Sequence, residues 1–198
     1  MKEALIIFAK PPIAGKVKTR LSSTIGDEMA LQIYEVLLNH TRNITKSLSI
    51  HKFLYWKSNS FNYSWEGYIS EVQRGQDLGE KMKNAFDSLF KKGYQKIVII
   101  GSDCIDLQEH HLNEAFTQLN SNDICIGPAK DGGYYLLGMN VPFPQLFYNI
   151  LWSSNSVLNE TVRICNIHQR TIHMLPVLSD IDREEDLTPE LKLLLEST

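Results

Sequence analysis

The chain has 198 residues and a formal net charge of -3, with 43% hydrophobic and 22% charged residues. At ~150 residues per domain this reads as one domain spanning 1–198, and the balance excludes a disordered or collagen-like chain. Twenty Lys+Arg against 23 Asp+Glu give no overall basicity for nucleic acid or a membrane surface, so any electrostatic recognition has to be local.

The first apolar run, Ala4 to Ala9, contains Leu5-Ile6-Ile7-Phe8 without a polar interruption. A continuous, β-branched-rich run of this kind predicts a strand buried on both faces, as in a parallel sheet. It is too short for a signal-peptide core, and no stretch reaches the ~18 apolar residues of a membrane span. After a polar loop, Ala30, Ile33, Leu37, Ile44 and Leu48 recur at helical spacing and predict a helix over 27–48, with Asp27 as N-cap. Phe53 to Trp56 and Tyr68 to Val72 are short strand candidates. Leu78, Met82, Ala85, Phe86 and Leu89 line one helical face, with an Asp77/Glu80 capping box at its start and Gly93 as the C′ residue.

Ile97 to Ile100 predicts another doubly buried strand, Glu109 to Leu119 a helix, and Ile124 to Ile126 a strand. Tyr134 to Leu137 predicts a strand, Val157 to Ile167 a helix, and Ile172 to Leu178 a last strand before an acidic helical tail. Alternating strands and helices with such strands predict an α/β fold, a three-layer α/β/α sandwich on a mostly parallel sheet. Cys104, Cys125 and Cys165 form neither an even framework nor a metal-binding pair, which fits a reducing cytoplasmic setting.

Ligands of such sheets bind beyond the carboxyl ends of the strands, so the loops after Ala9, Ile100 and Ile126 are the places to look. The first carries Lys10, Gly15, Lys16, Lys18 and Arg20. Gly15 permits close backbone approach, the lysines act as point charges, and Arg20 offers a two-pronged fork, a composition suited to phosphate as well as to a solvated loop. Neither a Walker A motif nor G-x-G-x-x-G is present, which argues against an ATPase P-loop or a nicotinamide site. The second loop holds Asp103 and Asp106, a pair that can bind Mg²⁺ or Mn²⁺ while substrate phosphates complete the octahedron; Asp106 equally suits a helix cap. In the third, Lys130-Asp131-Gly132-Gly133 presents Asp131 as a general base or forms a plain hairpin turn. Farther on, Asp180 or Asp182 offers a second metal ligand, while Glu185 and Asp186 read as acids of a helix start. Cys104, His110, His111 and Trp65 read as core or surface residues, and Trp152 as a core residue or a stacking platform.

Taken together, Phe8-Ala9-Lys10-Pro11-Pro12, Gly15-Lys16-Val17-Lys18-Thr19-Arg20-Leu21, Asp77-Leu78-Gly79-Glu80, Gly101-Ser102-Asp103-Cys104, Gly127-Pro128-Ala129, Asp131-Gly132-Gly133-Tyr134-Tyr135 and Asp180-Ile181-Asp182 resemble one family in its own order. It is the bacterial glycosyltransferase-like family DUF2064, of unknown function, and the resemblance spans residues 4 to 187. It implies the glycosyltransferase-A fold of nucleotide-diphospho-sugar transferases, with a similarity to guanylyltransferases that make cofactor precursors. Two departures stand out: Ile105 where the family has Pro, and Arg183-Glu184 where it has Thr-Pro.

The resemblance implies a metal-dependent glycosyltransferase that takes a nucleoside-diphosphate sugar and a small-molecule acceptor. The basic loop then holds the diphosphate, Asp103 with Asp106 or Asp182 holds Mg²⁺ or Mn²⁺, and Asp131 activates the acceptor hydroxyl. The alternative is nucleotidyl transfer from a nucleoside triphosphate, favoured by Asp180-Ile181-Asp182, although the Gly-rich signature of sugar nucleotidyltransferases is missing from the first loop. A third reading is a binding module without catalysis.

Overall fold

The computed structural model describes residues 2–58 and 64–196. Its elements in chain order are β1 (Glu3–Ala9), α1 (Thr19–Ile25), α2 (Asp27–Thr45), β2 (His51–Trp56), β3 (Ile69–Val72), α3 (Leu78–Lys91) and β4 (Lys96–Ile100). They continue as α4 (Glu109–Gln118), β5 (Ile124–Pro128), β6 (Tyr134–Met139), α5 (Val157–Ile167), β7 (Ile172–Met174) and α6 (Pro189–Glu196). The strands form one sheet of order β3-β2-β1-β4-β6-β5-β7. β6 runs antiparallel to both neighbours, and every other pairing is parallel.

The doubly buried runs explain the layers. Along β1, Leu5 and Ile7 face α2 and α4 through Tyr34, Leu38, Leu112 and Phe116. Ala4 and Ile6 face the opposite side, where α3 and α5 contribute Met82, Phe86, Leu89 and Ile164. This is the three-layer α/β sandwich that the strand composition predicts. A smaller cluster of Leu21, Ile33, Leu37, Ile181 and Leu191 ties α1, α2 and α6 together. Among the described residues, no helix is long and apolar enough to cross a membrane.

Several local signals hold. The Asp77 side chain accepts from the Glu80 amide at 2.8 Å, and the Glu80 carboxylate answers one residue earlier than a standard box, at the Gln76 amide (2.7 Å). Gly93, at φ 81°, follows the last turn of α3 as expected.

Others are corrected. Gly26 is the N-cap of α2, because a short helix, α1, occupies the preceding residues and turns directly into α2 at that glycine. Asp27 therefore lies in the first turn, where it accepts the Ser22 hydroxyl. α2 ends at Thr45, short of 48. The last strand is also shorter than expected. β7 stops at Met174, since Pro176 lacks the amide a ladder needs, and pairing resumes only at Leu178, which bridges Ala129. The direction of β6 follows from its short connection to β5, which leaves no room for a crossover helix.

Candidate active site

The carboxyl ends of β1, β2, β3 and β4 open onto a cleft of about 530 Å³, joined along a shared wall to a second lobe of about 370 Å³ under the β5–β6 hairpin. The wall that both share includes Lys18, Arg20, Asp103 and Asp182. The first lobe is cationic, lined by Lys10, Lys18, Arg20, Lys57 and Lys81. The second is acidic, lined by Asp103, Asp131, Asp180 and Asp182, with the indole of Trp152 beside them.

Lys18 is the keystone of the seam. Gly15 (φ 70°) turns the loop, with the Lys16 amide closing on the Ile13 carbonyl at 3.0 Å. Lys18 then takes a left-handed conformation at the head of α1, φ 46°, which a non-glycine residue holds only when its surroundings demand it. The demand is visible: its buried ammonium donates to Asp103 Oδ1 and to the Ile181 carbonyl, each at 2.6 Å. The Ile181 amide in turn donates to the Asp103 carbonyl at 2.9 Å. Three segments remote in sequence are thus locked at one point. Arg20, two residues on and on the exposed first turn of α1, pairs with Asp182 at 2.5 Å. Tyr34 braces the same region from α2, its hydroxyl accepting from the Lys10 amide at 2.8 Å and lying 3.3 Å from Ser102 Oγ. Burial and the nearby Asp103 charge raise the Tyr34 phenol, so it stays protonated.

Four carboxylates against the buried Lys18 ammonium and the exposed Arg20, which pairs with Asp182, leave excess negative charge. Asp180 carries the consequence: burial first, then the charges of Asp103, Asp131 and Asp182, push its carboxyl up to about 7, although Lys18 opposes the shift. Asp131 sits at the hairpin tip with Oδ1 accepting from the Gly133 amide at 2.9 Å. The hairpin reading and the site reading of this segment are therefore compatible. Among the described residues no three side chains of His, Cys, Asp or Glu form a ready-made metal cage.

Of the residues singled out from sequence, Lys10, Lys18, Arg20, Asp103, Asp131 and Asp182 line the double cleft. Gly15, Lys16 and Asp106 line neither lobe; Lys16 and Asp106 are exposed, and Gly15 backs onto Asp27. The residue preceding α4 is Gln108, whose amide donates to His111 Nδ1 at 3.0 Å, so Asp106 is not that helix's cap. Cys104 is buried, and its thiol is pushed up to about 12 by that burial, which rules out a thiolate at neutral pH. Tyr34, Lys57, Gln73 and Lys81 escaped sequence reading. Lys57 and Gln73 each follow a strand, β2 and β3, so the strand-end rule applied to every strand finds them.

Glycines in the motifs have packing reasons. A Cβ at Gly79 would overlap the Trp152 indole, one at Gly127 the Tyr135 ring, and one at Gly132 (φ 89°) the backbone of Asn155. Gly79 thus lets α3 seat the indole that walls the second lobe. Gly79→Ala is expected to destabilise the protein by about 1–3 kcal/mol, the usual range for overpacking, and to alter tryptophan fluorescence. Urea unfolding with emission spectra checks both.

No curated protein matches the chain in sequence. Among solved structures, a Desulfovibrio desulfuricans G20 protein with a proposed nucleotide-diphospho-sugar transferase activity shares 28% identity and a TM-score of 0.89, over 100% of this chain and 95% of that one. Rv0371c of Mycobacterium tuberculosis, solved in complex with manganese, has a TM-score of 0.60 at 13% identity over 100% of both chains. The inositol-1-phosphate CTP transferase of T. maritima has a TM-score of 0.56 at 14% identity, covering 99% of this chain and 95% of that one. At such identities the last two show a common fold. The family described as uncharacterized protein conserved in bacteria, DUF2064, matches residues 51–154, a span running from β2 through Asp103 and the Asp131 hairpin to the Trp152 wall. With more than half of the chain so matched, and the sequence motifs gathered around one double cleft, this protein belongs to the DUF2064 family.

Proposed function

We propose that the chain is a divalent-cation-dependent glycosyltransferase using a nucleoside-diphosphate sugar. The observation that carries this reading is the junction at Asp103 of a lobe lined by five cations with a lobe lined by carboxylates and an indole. The first suits a diphosphate. The second suits a sugar, whose hydroxyls donate to acceptor-only carboxylates and whose apolar face packs on an aromatic ring.

The donor set fits Mg²⁺ or Mn²⁺, which are commonly held by one or two protein carboxylates, with substrate oxygens and water supplying the rest. Asp103 with Asp182 or Asp180 would hold the ion; burial raises the Asp180 carboxyl first, and the Asp103, Asp131 and Asp182 charges that add to the rise are ones a cation would neutralise. When bound, the ion supplies Lewis-acid stabilisation of the departing diphosphate. Lys18 fixes the orientation of Asp103, and Lys10, Lys57 and Lys81 add positive charge along the diphosphate path. Asp131, with Oδ1 held by Gly133, has Oδ2 left to accept the proton of an acceptor hydroxyl.

A second reading, nucleotidyl transfer from a nucleoside triphosphate, is favoured by Asp180 and Asp182 reaching the same lobe as Asp103 from the last segment, a carboxylate set that would hold the ion on which a triphosphate binds. Manganese-dependent release of nucleoside diphosphate from a sugar nucleotide supports the first reading. Pyrophosphate exchange with a triphosphate, and no diphosphate release, replaces it by the second. Absence of both, with no nucleotide binding, removes both.

Arg20→Ala is expected to weaken nucleotide binding by about 1.5–3 kcal/mol, the range for a hydrogen bond to a charged group. Arg20→Lys should recover only part of that, because it keeps the charge and loses the fork. Calorimetry with a nucleoside diphosphate and Mn²⁺ reads both.

A further inference from the structure

The two lobes of the cleft differ in the charge they have left to offer a ligand. In the first, Lys10, Lys57 and Lys81 have no ion-pair partner among the described residues. In the second the position is reversed. Its cations are Lys18, buried against Asp103 at 2.6 Å, and Arg20, paired with Asp182 at 2.5 Å. Asp131 and Asp180 line the same lobe, and among the described residues no cation lies within ion-pair distance of either.

The uncharged groups around the second lobe do not make an anion site either. The Gly133 amide already donates to Asp131 Oδ1 at 2.9 Å. A helix start can hold an anion on its free amides. At the start of α5, however, the Leu158 amide donates to the Gly132 carbonyl at 2.9 Å, and the acidic Glu160 occupies the first turn. The Ser154 hydroxyl donates to the Leu151 carbonyl at 2.7 Å. Leu78, Val157 and the Trp152 indole supply the apolar part of the wall.

A bound divalent ion does not reverse the sign. With Lys18 and Arg20 its two charges only balance the four carboxylates, and the diphosphate that comes with it adds negative charge. A further anion could reach a cation in this lobe only by taking Arg20 from Asp182, which leaves a carboxylate unpaired in its place.

We infer that the group seated in the second lobe carries no negative charge, so that the sugar of the donor is neutral or amine-bearing and is neither a uronic acid nor a sugar phosphate. Hydroxyl and ammonium groups donate to carboxylates, whereas an ionised carboxylate or phosphate sets acceptors against acceptors. The selection works by repulsion of the wrong ligand. This inference rests on the reading of the cleft as a sugar-nucleotide site and deepens it to a substrate class.

The test is calorimetry of the full chain with Mn²⁺ against UDP, UDP-glucose and UDP-glucuronate, and against GDP, GDP-mannose and GDP-mannuronate, two series in which a neutral sugar has its uronate counterpart. In the series whose diphosphate binds, the neutral sugar nucleotide is expected to bind about tenfold or more tightly than the uronate, a modest share of what like charges in contact cost. Asp131→Asn, with its thermal midpoint checked against the wild type, is expected to narrow that ratio by about threefold or more, because it removes a carboxylate with no cation of its own. A uronate that binds within about threefold of its neutral counterpart overturns the inference and leaves the sugar-nucleotide reading in place. A ratio unchanged in folded Asp131→Asn also overturns it, since the discrimination then has a source other than the charge of this lobe. Binding of the diphosphates without any of the sugar nucleotides removes the second lobe as a sugar site. If both diphosphates and all four sugar nucleotides fail to bind, the nucleotide reading itself falls, and this inference falls with it.

Discussion

Asp103→Ala is expected to lower metal-dependent turnover of the sugar nucleotide by about 10³-fold, the scale on which a preorganised charge stabiliser at the reacting centre acts. Asp103 stands just beyond β4 at the seam of the two lobes, and it is the carboxylate that Lys18 holds through Oδ1. Its loss has two effects. The ion loses its central ligand, and the buried Lys18 ammonium, still anchored on the Ile181 carbonyl, is left without its counter-charge beside the place where a cation would sit. Manganese affinity by calorimetry should therefore fall together with turnover. Asp103→Asn keeps the shape of the side chain and separates the two effects: it should retain the fold and a hydrogen bond from Lys18, yet lose most of the manganese affinity. A turnover within about threefold of wild type in Asp103→Ala would remove Asp103 from the centre and leave the cationic lobe as a binding surface only.

What the sequence shows of this site depends on how local each signal is. The doubly buried runs of β1 and β4 and the Asp77 cap are written in consecutive residues, and they appear in the fold as the local physics dictates. The strand-end loops carry their charges openly, so Lys10, Lys18, Arg20, Asp103, Asp131 and Asp182 are all legible. The partnership of Lys18 with Asp103 and the Ile181 carbonyl is not, because it joins segments separated by more than eighty residues and exists only once the sheet has formed. Tyr34 is hidden differently: it sits at a core position of α2, and only its hydroxyl reaches the site. Gln73 gives no motif at all, since its place in the cationic lobe comes from the β2 and β1 carbonyls that orient it. Conversely, Lys16 and Asp106 share the composition of their loops without sharing the direction, which sequence spacing in a loop does not specify.

Lys18→Met is expected to destabilise the metal-free protein by about 2–3 kcal/mol, below the full cost of breaking a buried pair because Asp103 is 42% exposed. Removing the ammonium leaves the four carboxylates of the second lobe facing Arg20, which is paired with Asp182. Asp180 feels this most, since its carboxyl is already held at about 7 and Lys18 is the charge opposing that rise. A carboxyl with its folded-state value raised above the ordinary carboxylate range binds its proton more tightly in the native chain than in the unfolded one. Its contribution to stability is therefore full at acidic pH and is lost as pH rises through about 7. Metal-free wild type should lose stability from this group between about pH 4 and about pH 7, on the order of 2–4 kcal/mol. In Lys18→Met the loss should extend to higher pH. Asp180→Asn removes the titrating group, so it should flatten that part of the profile and offset much of the Lys18→Met defect in the double variant. Urea unfolding across this pH range with a chelator present reads all four proteins, and a double variant no more stable than Lys18→Met alone would refute carboxylate repulsion as the cause. The same Asp180→Asn change should weaken manganese binding, because the repulsion that costs the empty protein stability is the charge a divalent cation comes to neutralise.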